Sequence, residues 1–250
     1  LNNLEEAEVI ILSNRSIIKD GLKQLNIDIS ETNINRFEKY KDILLEWNQH
    51  MNLTAIEDEK EIYIKHFIDS LACINSGYIK ENDKIIDVGT GAGFPGIPLR
   101  VCMESLNLTL LDSLNKRINF LKEVCNNLEL DNVEFVHGRA EDFGKDEDYR
   151  EQYDIATARA VASLPVLLEY CTPFIKVGGY FVCLKGPYLN EELKEAEKAI
   201  DVLGLEFIQK IDVDLPFTDI KHNIVILKKV KNTPTKYPRK AGKPSKTPIK

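Results

Sequence analysis

Residues 85–99 read IIDVGTGAGFPGIPL. An apolar run ends at Asp87, four glycines follow within eight residues (Gly89, Gly91, Gly93, Gly96), and Pro95 and Pro98 open an amphipathic segment. Glycine loses more conformational entropy on folding than any other residue. A cluster this dense therefore marks a turn that needs positive φ, or a ligand that must approach the backbone closely. Proline fits the first helical turn, where its missing N–H has no partner to lose. The stretch predicts the strand, glycine turn and helix of a nucleotide-binding α/β fold.

Its spacing suits two ligands. Gly91-x-Gly93-x-x-Gly96 matches the dinucleotide fingerprint, with Asp112 placed 21 residues after Gly91 as a ribose-binding acid. Asp87-x-Gly89-x-Gly91-x-Gly93 matches the acid-plus-glycine pattern of S-adenosylmethionine (SAM) methyltransferases. A carboxylate at the strand tip suits a cationic sulfonium and ammonium and would repel a pyrophosphate, which favours SAM.

The rest of the chain supports such a unit. Its 250 residues, 43% of them hydrophobic, can bury a substantial core. No apolar run approaches the roughly 20 residues of a membrane span, and the acidic opening LNNLEEAEVI is unlike a secretory signal. Five dispersed cysteines, with neither a CxxC pair nor histidines at metal spacing, read as reduced core thiols of a cytoplasmic protein without a metal. The net charge of -7 hides an asymmetry, because nine basic residues and no acids lie from Lys228 onward. A basic tail on an acidic body suggests a polyanionic partner.

Three regions are expected: an N-terminal helical extension (1–80), a nucleotide-binding domain (81–230) and a basic tail (231–250) that would be extended or disordered on its own. In the first, Phe37, Tyr40, Leu44 and Trp47 recur at helical spacing. A second helix from Asp58 to Asn75 puts His66, Asp69 and Ser70 on one side. Strands are expected near 84–88, 107–111, 132–136, 153–157 and 179–184, alternating with helices near 95–105, 114–128, 162–176 and 189–203. Two extended segments, 205–213 and 222–230, have no helix between them and read as an antiparallel pair. The predicted fold class is thus α/β, a Rossmann-like class I methyltransferase with a seven-stranded, mostly parallel sheet and a terminal hairpin.

Ligands of such sheets sit beyond the carboxyl ends of the strands. Candidates there are Gly89 to Phe94, Asp112, Ala140 and Glu141 (for adenine), Arg159 at the pocket mouth, and Lys185 with Gly186 facing the substrate side. The chain lacks the Asp/Asn-Pro-Pro-aromatic run used for exocyclic amines, and it lacks a Pro-Cys nucleophile for carbon-5 methylation. An acceptor with a lone pair and no proton to lose, such as guanine N7, needs neither.

These motifs resemble the bacterial ribosomal RNA small subunit methyltransferase G family, also called glucose-inhibited division protein B. The resemblance rests on WNQHMNLTAI, HFIDSL, DVGTGAGFPGIPL, LLDSLNKRINFLKEV, HGRAED, TARAVASL, LKG and YPRKAGKPSKTPI in order, nearly the whole chain. It implies a SAM-dependent enzyme that methylates N7 of a guanine in the decoding-region loop of 16S rRNA, acting on that RNA or the small ribosomal subunit. It also implies SAM contacts at Gly89 and Phe94, adenosine contacts near Asp112 and at Ala140–Glu141, and Arg159 at the cofactor. Lys185, Arg239, Lys243 and Lys246 are implied RNA contacts. An NAD-dependent oxidoreductase and a non-catalytic RNA-binding module on the same fold are the alternatives that the residues leave open.

Overall fold

The computed structural model describes residues 14–159 and 162–250; the acidic opening stretch lies outside them. Helix α1 covers residues 14–24 and α2 covers Glu31–Met51. Ser30 caps α2 by accepting a hydrogen bond from Asn33 N at 3.1 Å, and Asn52 ends it in a left-handed conformation. The α2 stripe of Phe37, Tyr40 and Leu44 is fully buried. Helix α3 enters over Glu59–Ile62, widens into a π segment over Tyr63–Ile68, and leaves through Asp69–Leu71 and a 3-10 turn, Ala72–Ser76. His66 lies on the π segment, a departure from regular helix that often accompanies functional sites.

From there strand and helix alternate: β1 (Lys84–Val88), α4 (Gly96–Cys102), β2 (Asn107–Asp112), α5 (Asn115–Asn127), β3 (Val133–His137), the one-turn α6 (Ala140–Phe143), β4 (Tyr153–Arg159), α7 (Leu164–Cys171), β5 (Ile175–Lys185) and α8 (Leu189–Leu203). β6 (Leu205–Asp214) and β7 (Lys221–Lys229) follow with no helix between them, and a single turn, α9 (Lys243–Lys246), lies in the tail. The sheet order is β3-β2-β1-β4-β5-β7-β6. The first five strands pair in parallel, while β7 runs antiparallel to both β5 and β6. An all-parallel dinucleotide fold would continue with another crossover.

Strand alternation divides the core in two. Ile85, Leu108, Leu110, Val182, Leu184, Ile224 and Ile226 face the N-terminal helices, α4 and α5. Ile86, Leu111, Phe181, Cys183, Val225 and Leu227 face α7 and α8. The N-terminal helices therefore share one core with the sheet and hold α3 against its edge of strand ends.

Two expectations are corrected, and the tail, expected to be extended or disordered on its own, is held by the body. The helix expected over 162–176 stops at Cys171, because Pro173 cannot extend it and Thr172–Phe174 tightens into a 3-10 turn. β5 starts at Ile175 rather than near 179, with Gly178 and Gly179 inside it, since Gly179 packs against the backbone of Asp154 where a side chain would not fit. The tail is folded onto the body. Tyr237 and Ile249 enter the second core, and the Arg150 guanidinium donates to the carbonyls of Gly144, Thr233 and Tyr237 at 2.7, 2.6 and 2.9 Å. A few anchors suffice where the surrounding composition is that of a disordered segment.

Candidate active site

The glycine turn begins where β1 ends. Gly89, Gly91 and Gly93 have φ of 69°, 62° and 92°, the left-handed region. A Cβ at Gly91 would meet nothing nearer than the Gly89 carbonyl at 3.9 Å, so this backbone opens into free space. Gly93 points the other way, where a Cβ would overlap the Tyr40 hydroxyl and Ile97. That hydroxyl donates to the Ala92 carbonyl and ties the turn to α2.

The loop borders a hollow of about 630 Å³ at the carboxyl ends of β1, β2 and β3, within the usual range for small-ligand sites. Gly89, Thr90, Gly91, Ala92 and Phe94 form one wall, and Asp112, Ala140, Glu141 and Arg159 stand around it. Asp112 is buried and braces the loop, accepting from Gly91 N at 3.0 Å, Leu114 N at 2.9 Å and Arg117 at 3.3 Å. A carboxylate has about four acceptor sites, so one remains.

Asp87 is not in this wall. Its carboxylate is fully buried, with Oδ2 accepting from the Thr90 hydroxyl at 2.8 Å and Gly96 N at 2.9 Å. Burial pushes its pKa up to about 7. It pins the turn to the start of α4, and Gly96 is required there because a Cβ would come within 2.9 Å of Oδ2. The physical reason is parity: Asp87 shares a strand face with Ile85, whereas Val88 faces the hollow. The structure thus gives Asp87 a bracing contact through Oδ2 behind the lining rather than a place in the wall, and Gly93 likewise stands behind the lining.

Beyond Phe94 the hollow meets a second cavity of about 330 Å³, lined by Lys65, His66, Asp69, Arg159, Leu184, Lys185, Gly186 and His222. His66 and Arg159 border both. The His66 ring stacks on Phe94 at 4.6 Å and 18°, and the Arg159 guanidinium lies over the same ring at 4.7 Å. Arg159 donates to the carbonyls of Lys65 and His66, to Asp69 Oδ2 at 3.0 Å and to His66 Nδ1 at 3.2 Å. With Nδ1 accepting, the His66 proton is on Nε2 and points to the Thr54 hydroxyl at 2.8 Å. Burial and the Arg159 charge push the His66 pKa down to about 3, so the ring is neutral with both nitrogens committed. Asp69 uses its other oxygen on His222 Nδ1 at 2.6 Å.

The structure therefore gathers His66, Asp69 and Arg159 into one cluster at the meeting of the cavities, whereas Ser70 only donates to the His66 carbonyl at 2.5 Å. Lys185 lines the second cavity, with Nζ on Glu192 at 2.8 Å and the Ala162 carbonyl at 3.1 Å. Lys243 and Lys246 are exposed on α9. Arg239 is engaged differently from a phosphate contact. Its guanidinium grips both oxygens of the fully buried Glu169, at 2.6 to 3.0 Å. Sequence reasoning missed Thr54, Arg117, Arg139, Tyr170, Gly242 and Ser245, which line the first hollow, and His222 in the second. Glu169 alone carried a signal, as a lone acid within the apolar run LPVLLEYC implies a buried partner.

Gly91→Val tests the cradle. A β-branched residue at this φ is strained, and its side chain enters the hollow, so affinity for S-adenosylhomocysteine is expected to fall more than about tenfold with the protein still folded. Calorimetric titration showing unchanged affinity would refute the cradle.

Among the described residues no helix is long and apolar enough to cross a membrane. The family model described as rRNA small subunit methyltransferase G matches residues 33–214. A protein named ribosomal RNA small subunit methyltransferase G from Alkaliphilus oremlandii is 64% identical over 236 residues, covering 94% of this chain and 99% of its own. The protein of that name from Acetivibrio thermocellus is 52% identical, covering 94% and 96%. TrmN from Thermus thermophilus has a TM-score of 0.51 at 15% identity, over 65% of this chain and 48% of its own, a likeness of fold alone. The strand order, the glycine cradle and these matches agree: the chain belongs to the ribosomal RNA small subunit methyltransferase G family.

Proposed function

We propose that the chain transfers a methyl group from SAM to N7 of a guanine in the decoding-region loop of small-subunit ribosomal RNA. The first hollow fits the cofactor on its own chemistry. Gly91 offers backbone with no side chain in the way, and Asp112 keeps an acceptor site for a ribose hydroxyl. Glu141 accepts from Gly242 N with one oxygen and keeps the other for a donor such as an adenine amine. When bound, SAM supplies an electrophilic methyl on a cationic sulfur.

The observation that carries the choice of acceptor is the state of His66. The histidine at the junction of the two cavities is neutral, has both nitrogens committed and cannot take a proton near neutral pH. Asp69 has both oxygens engaged as well. The thiols of Cys73, Cys171 and Cys183 are buried and pushed up by burial, away from both cavities. At the partition itself no group is free to take a proton, which suits an acceptor that attacks with a lone pair it already owns, as guanine N7 does. The contribution of the protein is then placement: Phe94, His66 and Arg159 form a rigid partition against which the base is set, and the reaction gains from proximity. An exposed α9 bearing Lys243 and Lys246 beside the hollow offers charges for the RNA backbone.

The test is reaction of the purified protein and SAM with small subunits lacking the modification, followed by mass-spectrometric mapping of the methylated nucleotide. A single N7-methylguanine in the decoding-region loop is the expected product. Methylation of another atom, or no transfer to any subunit preparation alongside tight NADH binding, would replace this reading.

A further inference from the structure

The second cavity contains a histidine that the methyl transfer described above does not use. His222 is at the start of β7, opposite Val213 of β6, and its side chain is 28% exposed toward the cavity. Nδ1 donates to Asp69 Oδ1 at 2.6 Å, which fixes the ring and leaves Nε2 without a partner among the described residues. The neighbouring charges are committed elsewhere: Lys65 to Glu61 at 2.6 Å, Lys185 to Glu192, and Arg159 to Asp69 and His66. Asn223, the next residue, donates to the Gly186 carbonyl at 2.9 Å and holds the opposite rim.

We infer that His222 is the group that reads the acceptor base, donating from Nε2 to the exocyclic oxygen beside the methylated nitrogen. The inference rests on the guanine-N7 reading and deepens it. On that edge guanine presents two acceptors, N7 and O6, whereas adenine presents an acceptor and an amino donor. A donor at O6 therefore rewards guanine and meets the adenine amine donor to donor, leaving N7 free on the side of the first hollow. Asp69 beside the ring offsets the imidazolium charge, so the base is positioned without a net cation drawing electrons from the attacking nitrogen.

The donor role depends on protonation. With Nδ1–H held by Asp69, Nε2 is a donor only while the ring is cationic; once neutral, it presents a lone pair to O6. Asp69 raises the His222 pKa above its ordinary value, against burial and the opposing charge of Arg159. The other groups facing it are Lys65 and His66 from α3 and Lys185 from β5, with neutral Val213 across the β6 pairing. Base reading is thus strong below the raised pKa and is lost as pH rises through it.

The experiment is steady-state methylation of unmodified small subunits by the wild type, His222→Ala and His222→Gln, from about pH 6 to about pH 9. For the wild type, KM for the subunit should rise with pH while kcat stays nearly level. His222→Ala should raise KM about tenfold at low pH, the size of one missing hydrogen bond from a charged donor. His222→Gln, whose amide donates at every pH, should restore much of the low-pH KM and flatten its profile. All three should bind S-adenosylhomocysteine alike, since His222 does not line the first hollow.

Wild-type KM in His222→Ala, or a wild-type pH profile in His222→Gln, overturns the inference while leaving the guanine-N7 reading standing. A kcat that rises with pH and vanishes in both variants makes His222 a proton acceptor, and overturns the inference together with an acceptor that has no proton to lose. Wild-type transfer to no subunit at all removes both.

Discussion

Arg159→Ala is expected to lower kcat/KM at least about a hundredfold, the usual consequence of deleting a preorganised charged donor from a reaction site. The same side chain spans α3, the Phe94 face and Asp69, so its loss dismantles the partition between the two cavities. Asp69 is 3% exposed at its side chain and would keep only His222, a half-broken buried ion pair whose cost is about 3 kcal/mol or more. Arg159→Lys should not rescue activity, because one ammonium cannot replace a planar fork that serves two carbonyls, a carboxylate and an imidazole at once. A spectroscopic signature separates this role from simple destabilisation. Without the Arg159 charge the His66 pKa rises from its low value, and NMR titration should record the ring protonating at higher pH in the variant. Near-wild-type kinetics with an unmoved His66 would show that Arg159 is an ordinary ion pair at the edge of the site.

The second large effect lies in the tail. Arg239→Ala leaves Glu169 fully buried with one backbone donor, Arg239 N at 2.8 Å, and should cost about 3–5 kcal/mol, or roughly 10 °C in Tm for a chain of this size. Pairing it with Glu169→Gln should recover most of that loss, because the uncompensated charge is gone. The loss should extend to the cofactor. Pro238 lies against Gly144 and Pro244 is buried, which packs the tail against the body, and Gly242 and Ser245 form part of the wall of the first hollow. Removing residues 237–250 should therefore weaken S-adenosylhomocysteine binding as well as RNA binding. This changes what a truncation means. A shorter chain loses a wall and an ion-pair partner along with its surface charges, so the phosphate contribution is read from Lys243→Gln and Lys246→Gln instead. Each phosphate that a variant no longer neutralises should alter the salt dependence of RNA affinity by about 0.7–0.9 in log–log slope, with cofactor affinity unchanged. A Tm unmoved by Arg239→Ala would mean that Glu169 is satisfied without it.

Much of the architecture is legible in the sequence. Apolar runs locate the inner strands, because a strand covered on both faces is apolar almost throughout, whereas the edge strands β3 and β6 are half exposed and show only alternation. The glycines locate the turn, and they divide between two demands: Gly89 and Gly91 border the hollow, while Gly93 and Gly96 make room for Tyr40, Ile97 and Asp87. Asp87 shows where such reasoning stops. Its position at the end of β1 is evident, but the direction of its carboxylate follows from strand parity, one residue removed from Val88, which does face the hollow. Arg239 shows a second limit: a basic residue in a lysine-rich tail looks like a phosphate contact until its partner, 70 residues earlier on α7, is known. His222 and Gly242 have no local signature at all. They reach the site through long-range contacts, His222 to Asp69 across 153 positions and Gly242 to Glu141 across 101.

The arrangement of two cavities meeting at Phe94, His66 and Arg159 is tested most directly by a crystal structure of the protein with S-adenosylhomocysteine and a short guanine-containing RNA from the decoding-region loop. The expected result is adenosine between the Gly89–Ala92 loop, Asp112 and Glu141, with a guanine in the second cavity, its N7 edge toward the first and O6 at His222. Cofactor density outside the glycine cradle, or a base bound anywhere other than beside His222 and Arg159, would contradict it.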